Sequence, residues 1–260
     1  MKFSHELSTA IRAAKAAGAI QLRHFGRPLK KTMKIGVDFA TQVDFACEKA
    51  VLGILQKDFP EYGVLSEEIG EIPSDSDYRW IVDPLDGTLP YARGLDSFGA
   101  LVSLQKKDTI ELGVIFRPQQ KELLFAQSGR GAFLNGGRLK VSRVNRLSEA
   151  SVSYQDIRFA NRVCPEGFNE LLSQAGLVLG MPWLDSINAL GRGQMDIQVG
   201  YAAHLWDFAP AQIIAKEAGG IFSDYNNNCS LSKGPGCLTT NGRLHKKVLK
   251  FLHEPKEADA

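Results

Sequence analysis

The stretch Trp80-Ile81-Val82-Asp83-Pro84-Leu85-Asp86-Gly87-Thr88 decides how the rest of the chain is read. It opens as an apolar run rich in β-branched residues, the composition of a buried strand. The run ends in two carboxylates three positions apart, with Pro84 between them and Gly87-Thr88 after them. Carboxylates at the end of a buried strand are costly unless a counter-charge neutralises them, and a divalent cation is the usual one. Pro84 has no N–H for a sheet ladder and Gly87 frees the backbone, so the chain is expected to leave the sheet here. The Leu85 carbonyl is then a neutral oxygen ligand, and Thr88 places a hydroxyl beside the metal.

Two distant segments repeat the theme. Val64-Leu65-Ser66-Glu67-Glu68 is a short apolar run that ends in acids, and Trp206-Asp207 opens a small-residue segment that runs to Gly219-Gly220. The second segment predicts a helix with Asp207 as N-cap, Pro210 in the first turn and the two glycines as the stop. Glu67, Asp83, Asp86 and Asp207 form an all-oxygen donor set, which favours Mg²⁺ or Mn²⁺ over zinc.

The whole chain narrows the choice. Its 260 residues, 44% of them apolar, make one large domain or two closely joined halves. The net charge of +2, without a Lys/Arg block interleaved with aromatics, argues against nucleic acid; Lys30-Lys31 and Lys246-Lys247 read as solvated surface. Cys47, Cys164, Cys229 and Cys237 have no C-x-x-C spacing, so a zinc ribbon or dithiol site is not expected. Scattered cysteines and an N-terminus that alternates charge with apolar residues point to a reducing cytoplasm. No apolar run approaches membrane-spanning length.

Helices are expected at 3–25 and 42–58, near 166–174 and 185–193, and at 207–219 and 244–253. Strands are expected through most of 79–152, with a hairpin turn at Asn135-Gly136-Gly137, and again at 220–223 and 237–240. Cys47 reads as core, Thr41 as the cap of the second helix, Asp44 as an acid in its first turn, and the tail 254–260 as disordered. The pattern implies a layered α/β fold, with an N-terminal α+β half (1–145) carrying the metal motifs and a C-terminal α/β half (146–260) completing the site within one compact unit.

Taken together, the motifs resemble the inositol monophosphatase superfamily. Asp83–Thr88 matches its Asp-Pro-(Ile/Leu)-Asp-Gly-Thr signature, Trp206–Gly220 its Trp-Asp helix ending in Ala-Gly-Gly, Glu67-Glu68 its acidic pair, Thr41-x-x-Asp44 its upstream motif, and Gly129–Gly136 its hairpin. The matches run in order over roughly residues 5–250, and four ordered motifs are far more specific than one. The resemblance implies an αβαβα sandwich of the sugar-phosphatase type and Mg²⁺-dependent, lithium-sensitive hydrolysis of a small phosphate monoester, in a cytoplasmic homodimer. It implies two or three Mg²⁺ ions, with Mn²⁺ as a substitute. Glu67, Asp83 and the Leu85 carbonyl would hold the first; Asp83, Asp86 and Asp207 the second; Glu67 would reach a weaker third through water. Thr88 and Asp44 would activate the attacking water, with Glu67 also in the catalytic group, and Gly87 and Thr88 would bind phosphate through backbone N–H groups.

The metal machinery matches more fully than the substrate-reading positions. Where inositol-type members carry Asn two residues after the signature Thr, this chain has Pro90; their Gly-(Thr/Ser)-Ala-Ala segment is here Gly180-Met181-Pro182-Trp183-Leu184-Asp185; and Gly200 stands where they place a substrate-contacting Glu. Histidinol-phosphatase or bisphosphate-nucleotidase specificity, and a non-catalytic metal-binding regulator with the same fold, therefore stand as alternatives. Arg93 and Asp185 are candidate substrate contacts. Lys34 reads as a solvated loop lysine and His204 as a packed residue rather than an acid–base.

Overall fold

The computed structural model describes residues 3–34, 39–158, 164–201, 204–229 and 236–252; the tail expected to be disordered lies outside them. The helices are α1 (His5–His24), α2 (Gln42–Asp58), α3 (Thr88–Ala92), α4 (Pro165–Gln174), α5 (Trp183–Gly191), α6 (Leu205–Glu217) and α7 (His245–Leu252). The strands are β1 (Lys31–Met33), β2 (Phe39–Thr41), β3 (Gly63–Ser66), β4 (Gly70–Ile72), β5 (Tyr78–Asp86), β6 (Gly99–Lys106), β7 (Thr109–Arg117), β8 (Glu122–Gln127), β9 (Gly131–Leu134), β10 (Gly137–Arg138), β11 (Ser151–Tyr154), β12 (Leu177–Gly180), β13 (Ile197–Tyr201), β14 (Ile221–Ser223) and β15 (Gly236–Thr240). The chain forms two compact units, Met1–Arg138 with Leu205–Ile214, and Leu139–His204 with Ala215–Ala260. Among the described residues, no helix is long and apolar enough to cross a membrane.

In the first unit, an eight-stranded sheet runs in the order β10-β9-β8-β7-β6-β5-β3-β4, and β1 and β2 form a separate two-stranded ribbon. Helices α1 and α2 cover one face. The buried stripe Leu7, Ala10, Ala13, Ala14, Ala17 and Gly18 recurs at helical spacing, and its small side chains let α1 lie close to the strands. A Cβ on Gly18 would stand 2.4 Å from the Phe116 ring, so contact is set by backbone rather than by side chains. The two helices, with Val82, Val102, Leu112 and Val114, enclose one buried cluster around Trp80. The Asn135-Gly136 turn joins β9 to β10 with φ of 49° and 86°, the left-handed pair that a two-residue hairpin needs.

Strand β5 departs from expectation at the signature. The chain does not leave the sheet at Pro84; pairing with β6 shifts from Asp83↔Leu101 to Asp86↔Gly99, so three residues of β5 advance against two of β6. This bulge absorbs the proline, whose missing donor would otherwise break the ladder. The Pro84 carbonyl accepts instead from Gln21 Nε2 at 2.9 Å, and Gln21 is fully buried.

Helix α6 differs as well. It begins at Leu205, which makes Asp207 its third residue rather than its N-cap and puts Pro210 inside the helix. The first ten residues of α6 belong to the first unit, on the sheet face away from α1. Gly113 of β7 makes room for them: a Cβ there would meet Pro210 Cα and Ile213 Cγ2, each at 2.6 Å.

The second unit contains a five-stranded sheet, order β12-β11-β13-β15-β14, with β11 parallel to both neighbours and β15 antiparallel to both of its own. Phe168 and Leu171 of α4 join Val248 and Leu252 of α7 against Val152, Ile197 and Leu238. His245, buried, sits between Ser223 Oγ at 3.0 Å and Thr240 Oγ1 at 3.1 Å, and burial lowers its pKa to about 4. The layered α/β class expected from the sequence is observed.

Gly113→Val is expected to push α6 off the strands, costing about 1–3 kcal/mol in urea unfolding, and to weaken divalent-cation affinity in the same protein because α6 carries Asp207.

Candidate active site

Three backbone decisions assemble the acids. The parallel register of β3 against β5 pairs Ser66 with Val82, so the next residues, Glu67 and Asp83, come side by side; Glu67 N donates to the Val82 carbonyl at 3.2 Å. The bulge lets Asp83 and Asp86 reach one place although an odd spacing along a regular strand would send them to opposite faces. The first turn of α6 supplies Asp207. Carboxylate oxygens of Asp83, Asp86 and Asp207 lie within 4.8 Å of one another.

Such a cluster resists ionisation. Burial, and then the charges of Glu67, Asp86 and Asp207, push Asp83 well above the ordinary carboxylate range. Burial and then Glu67 push Asp86 up to about 7. Nearby acids that disfavour one another's charge are the arrangement a hard cation relieves, and oxygen-only donors suit Mg²⁺ or Mn²⁺. The residues therefore fit the ion that the sequence implied.

The surroundings hold these acids in position. Leu85 N donates to Asp83 Oδ1 at 3.0 Å, which orients that carboxylate. Thr88 Oγ1 lies 2.9 Å from Asp44 Oδ1 and 3.1 Å from the Leu85 carbonyl; the carboxylate is the stronger acceptor for its one proton. Asp44 Oδ2 accepts from Thr41 N at 2.8 Å and from Thr41 Oγ1 at 2.5 Å, within a capping box at the start of α2. Asp44 is thus both a first-turn helix acid and the partner of Thr88. Burial raises its pKa, and these hydrogen bonds oppose the rise. Gly87 has φ of 82°, and a Cβ there would stand 2.6 Å from the Ser97 carbonyl, so only glycine fits between the bulge and α3. Pro90 falls in the first turn of α3, where an N–H has no partner to lose.

Two contributors were not recognised from the sequence. Lys34 is not a solvated loop lysine: its ammonium sits 2.7 Å from Glu67 Oε1 and 2.8 Å from Glu68 Oε1. Burial works against its charge, but the two carboxylates win and raise its pKa. Burial raises Glu68 to about 7, with Lys34 opposing. Glu48, also buried, accepts from Ser66 Oγ, from Glu68 N at 3.3 Å and from Ile69 N at 3.2 Å, and so fixes the turn that presents Glu67. Its signal was the four-residue spacing from Asp44, which puts both acids on one face of α2.

Arg93 closes α3 and is exposed; Asp185 lies in the first turn of α5, in the second unit. His204, one residue before α6, is exposed. At Gly200 a Cβ would meet Cys237 Sγ at 2.4 Å and the Trp183 ring at 3.2 Å, so the packing of the second unit leaves no room for an acid at that position.

A layered α/β protein with a buried acidic cation site beside a Thr–Asp pair is the class that this geometry defines. The model of the inositol monophosphatase family matches residues 3–257. A Pasteurella multocida protein named Nus factor SuhB is 32% identical over 252 residues, 94% of each chain. The fructose-1,6-bisphosphatase/inositol-1-monophosphatase of Thermotoga maritima is 30% identical over 257 residues, 96% of this chain and 97% of that one. A histidinol-phosphatase of Chlorobaculum parvum is 30% identical over 248 residues, 94% of this chain and 95% of that one. The crystal structure of extragenic suppressor protein suhB from Bartonella henselae superposes with a TM-score of 0.89 at 28% identity, covering 98% of this chain and all 100% of that one. The chain belongs to the inositol monophosphatase family.

Glu48→Ala is expected to free the 67–69 turn and to weaken Mg²⁺ affinity by about ten- to a hundredfold, as removal of groups that orient metal ligands does, with α2 retained in circular dichroism; titration calorimetry reads the change.

Proposed function

We propose that this protein is a Mg²⁺-dependent phosphomonoesterase acting on a small phosphate ester, with inositol 1-phosphate as the leading candidate. The observation that carries the reading is the meeting of Asp83, Asp86 and Asp207 within 4.8 Å in the same unit as the Thr88–Asp44 pair. A phosphate monoester is a dianion, and a cluster of bare acids would repel it. Bound Mg²⁺ supplies the opposite sign, neutralising the ester and acidifying water.

In this reading Glu67, Asp83 and the Leu85 carbonyl hold one ion, Asp83, Asp86 and Asp207 a second, and Glu67 a weaker third. The hydrogen bond from Thr88 Oγ1 to Asp44 Oδ1 lets the threonine accept a proton from the attacking water as its own proton passes to the carboxylate. Asp44 thus ends as the proton's holder and later returns it to the leaving alcohol. Backbone N–H groups of Gly87 and Thr88 hold phosphate oxygens. Water attacks phosphorus, the P–O ester bond breaks, and the alcohol departs with a proton. Arg93 and Asp185 are proposed to touch the alcohol part of the substrate. A cytoplasmic homodimer, and inhibition by Li⁺, which competes for the oxygen ligands, complete the proposal.

The altered positions keep other substrates in view. Pro90 and Gly200 lack the polar groups of inositol-type members, and relatives at similar identity carry the names histidinol-phosphatase and fructose-1,6-bisphosphatase. A non-catalytic, metal-binding regulator is the second reading, favoured by the name Nus factor SuhB on another such relative.

Phosphate release from inositol 1-phosphate, histidinol phosphate, fructose 1,6-bisphosphate and 3′-phosphoadenosine 5′-phosphate, each with Mg²⁺, with EDTA and with Li⁺, is expected to show Mg²⁺-dependent turnover of at least one ester. Asp83→Asn and Asp207→Asn are expected to abolish it, and Thr88→Val to reduce kcat by about 10²–10⁴-fold. Silence across the panel, with Mg²⁺ still bound, would favour the regulator.

The raised pKa of Asp86 sets a pH dependence. Its folded-state value, about 7, lies well above the ordinary aspartate value of 3.8, so the metal-free fold favours the protonated acid. Its relative stability is whole below about pH 4 and drains as pH rises through about 7. Mg²⁺ is expected to remove that loss, so the rise in Tm on adding Mg²⁺ should be larger at pH 8 than at pH 5; an equal rise at both would refute the assignment of Asp86 as a ligand.

A further inference from the structure

The second unit has a cleft of its own, built entirely from its own residues. A cavity of about 410 Å³ opens between the segment after β10, the junction of α6 with β14, and the turn from β15 into α7; Lys140, Arg143, Gly219, Ile221, Gly242 and Arg243 are among its walls. That volume falls within the range of small-molecule sites.

The charge of this cleft is one-sided. Lys140, Arg143 and Arg243 contribute three cations to its wall, and no acid lines it. Among the described residues none of the three is engaged in an ion pair. The whole chain has a net charge of only +2, so three uncompensated cations around one cavity are a local concentration rather than a general basicity. The buried acid Asp196, bonded to the lining residue Ser142 through that residue's Oγ, is also engaged by Ser151 N at 2.7 Å.

The floor is both open and rigid. Gly219 and Gly242 have φ of 93° and 80°, and a Cβ on Gly219 would meet only Val141 Cγ2, at 3.7 Å. Backbone is therefore presented to the cavity without a side chain to fill it. Asn241, buried, ties the walls together: its Nδ2 donates to Ser142 Oγ at 2.9 Å and to the Val144 carbonyl at 2.8 Å, and its Oδ1 accepts from Arg243 N at 3.1 Å and Leu244 N at 3.2 Å. Val141 N donates to the Ala218 carbonyl at 3.1 Å, closing the third side. The three cations thus rise from a preformed frame, which spares the ordering cost of binding.

We propose that this cleft is a second anion site, separate from the acidic cluster, which takes a small multivalent phosphate: pyrophosphate or the diphosphate part of a metabolite. Two guanidinium groups offer forked donors to phosphate oxygens, and the lysine adds a point charge.

The test is titration calorimetry of the full chain with pyrophosphate in EDTA, where the acidic cluster has no cation and repels the probe. One site is expected in the wild type and in Asp207→Asn. Arg143→Gln and Arg243→Gln, both exposed surface changes, should each weaken binding several-fold, and the double variant by about tenfold or more. Their melting temperatures and phosphate-release activity should match wild type, which keeps the single variants informative if the double one folds poorly. Citrate, run in parallel, should bind more weakly than pyrophosphate; equal binding would overturn the phosphate assignment. Absence of binding by wild type, undiminished binding by the arginine variants, or loss of binding in Asp207→Asn would overturn the site.

Discussion

The crowding of carboxylates, buried or half-buried, where β5 ends and α6 begins is the constraint on which the site in the first unit depends. Burial, and then the charges of Glu67, Asp86 and Asp207, raise the pKa of Asp83, and burial and Glu67 raise that of Asp86. An arrangement of this kind is a net cost to the fold unless something cationic answers it. Lys34 answers part of the cost, at Glu67 and Glu68. The remainder is the kind of cost that a bound cation would relieve, as the family's metal dependence leads one to expect.

Backbone irregularity makes the cluster possible. A regular strand cannot turn two side chains three residues apart to one side, and a proline cannot sit in a regular ladder. The bulge at Pro84-Leu85 resolves both problems with one extra residue and frees the Leu85 carbonyl beside Thr88. Gly87, in a left-handed conformation against the Ser97 carbonyl, then turns the chain into α3. On the opposite face of the sheet, Gly113 lets α6 approach near enough to deliver Asp207. Two glycines and a proline, none of them chemically reactive, set the positions of the reactive groups.

Family membership and substrate choice separate cleanly in this chain. The acids, the Thr88–Asp44 pair and the glycine turn follow the family pattern, whereas Gly200 is packed against Cys237 and Trp183 and cannot accommodate a longer side chain. The names of relatives at about the same identity diverge in the same way, among phosphatases of different substrates and a Nus factor. Shared metal chemistry with variable surroundings is the expected outcome when the reacting phosphate is constant and the alcohol is not.

The sequence by itself determined the layered α/β class, the positions of most helices and strands, and the identities of the acids, because these follow from local periodicity and from residue types that chemistry restricts. It could not determine which acids meet. Glu67 is beside Asp83 only because β3 runs parallel to β5 in one register, and Asp207 joins them only because α6 packs close against β7 at Gly113. Lys34 read as solvated because nothing in its neighbourhood along the chain announces Glu67 and Glu68, more than thirty residues away. The cationic cleft of the second unit was likewise invisible: Lys140, Arg143 and Arg243 are scattered through the chain, and only the closing of β14 and β15 around Asn241 brings them to one cavity. Local preferences are written in neighbouring residues; electrostatic partners separated by long stretches of chain are chosen by the tertiary fold.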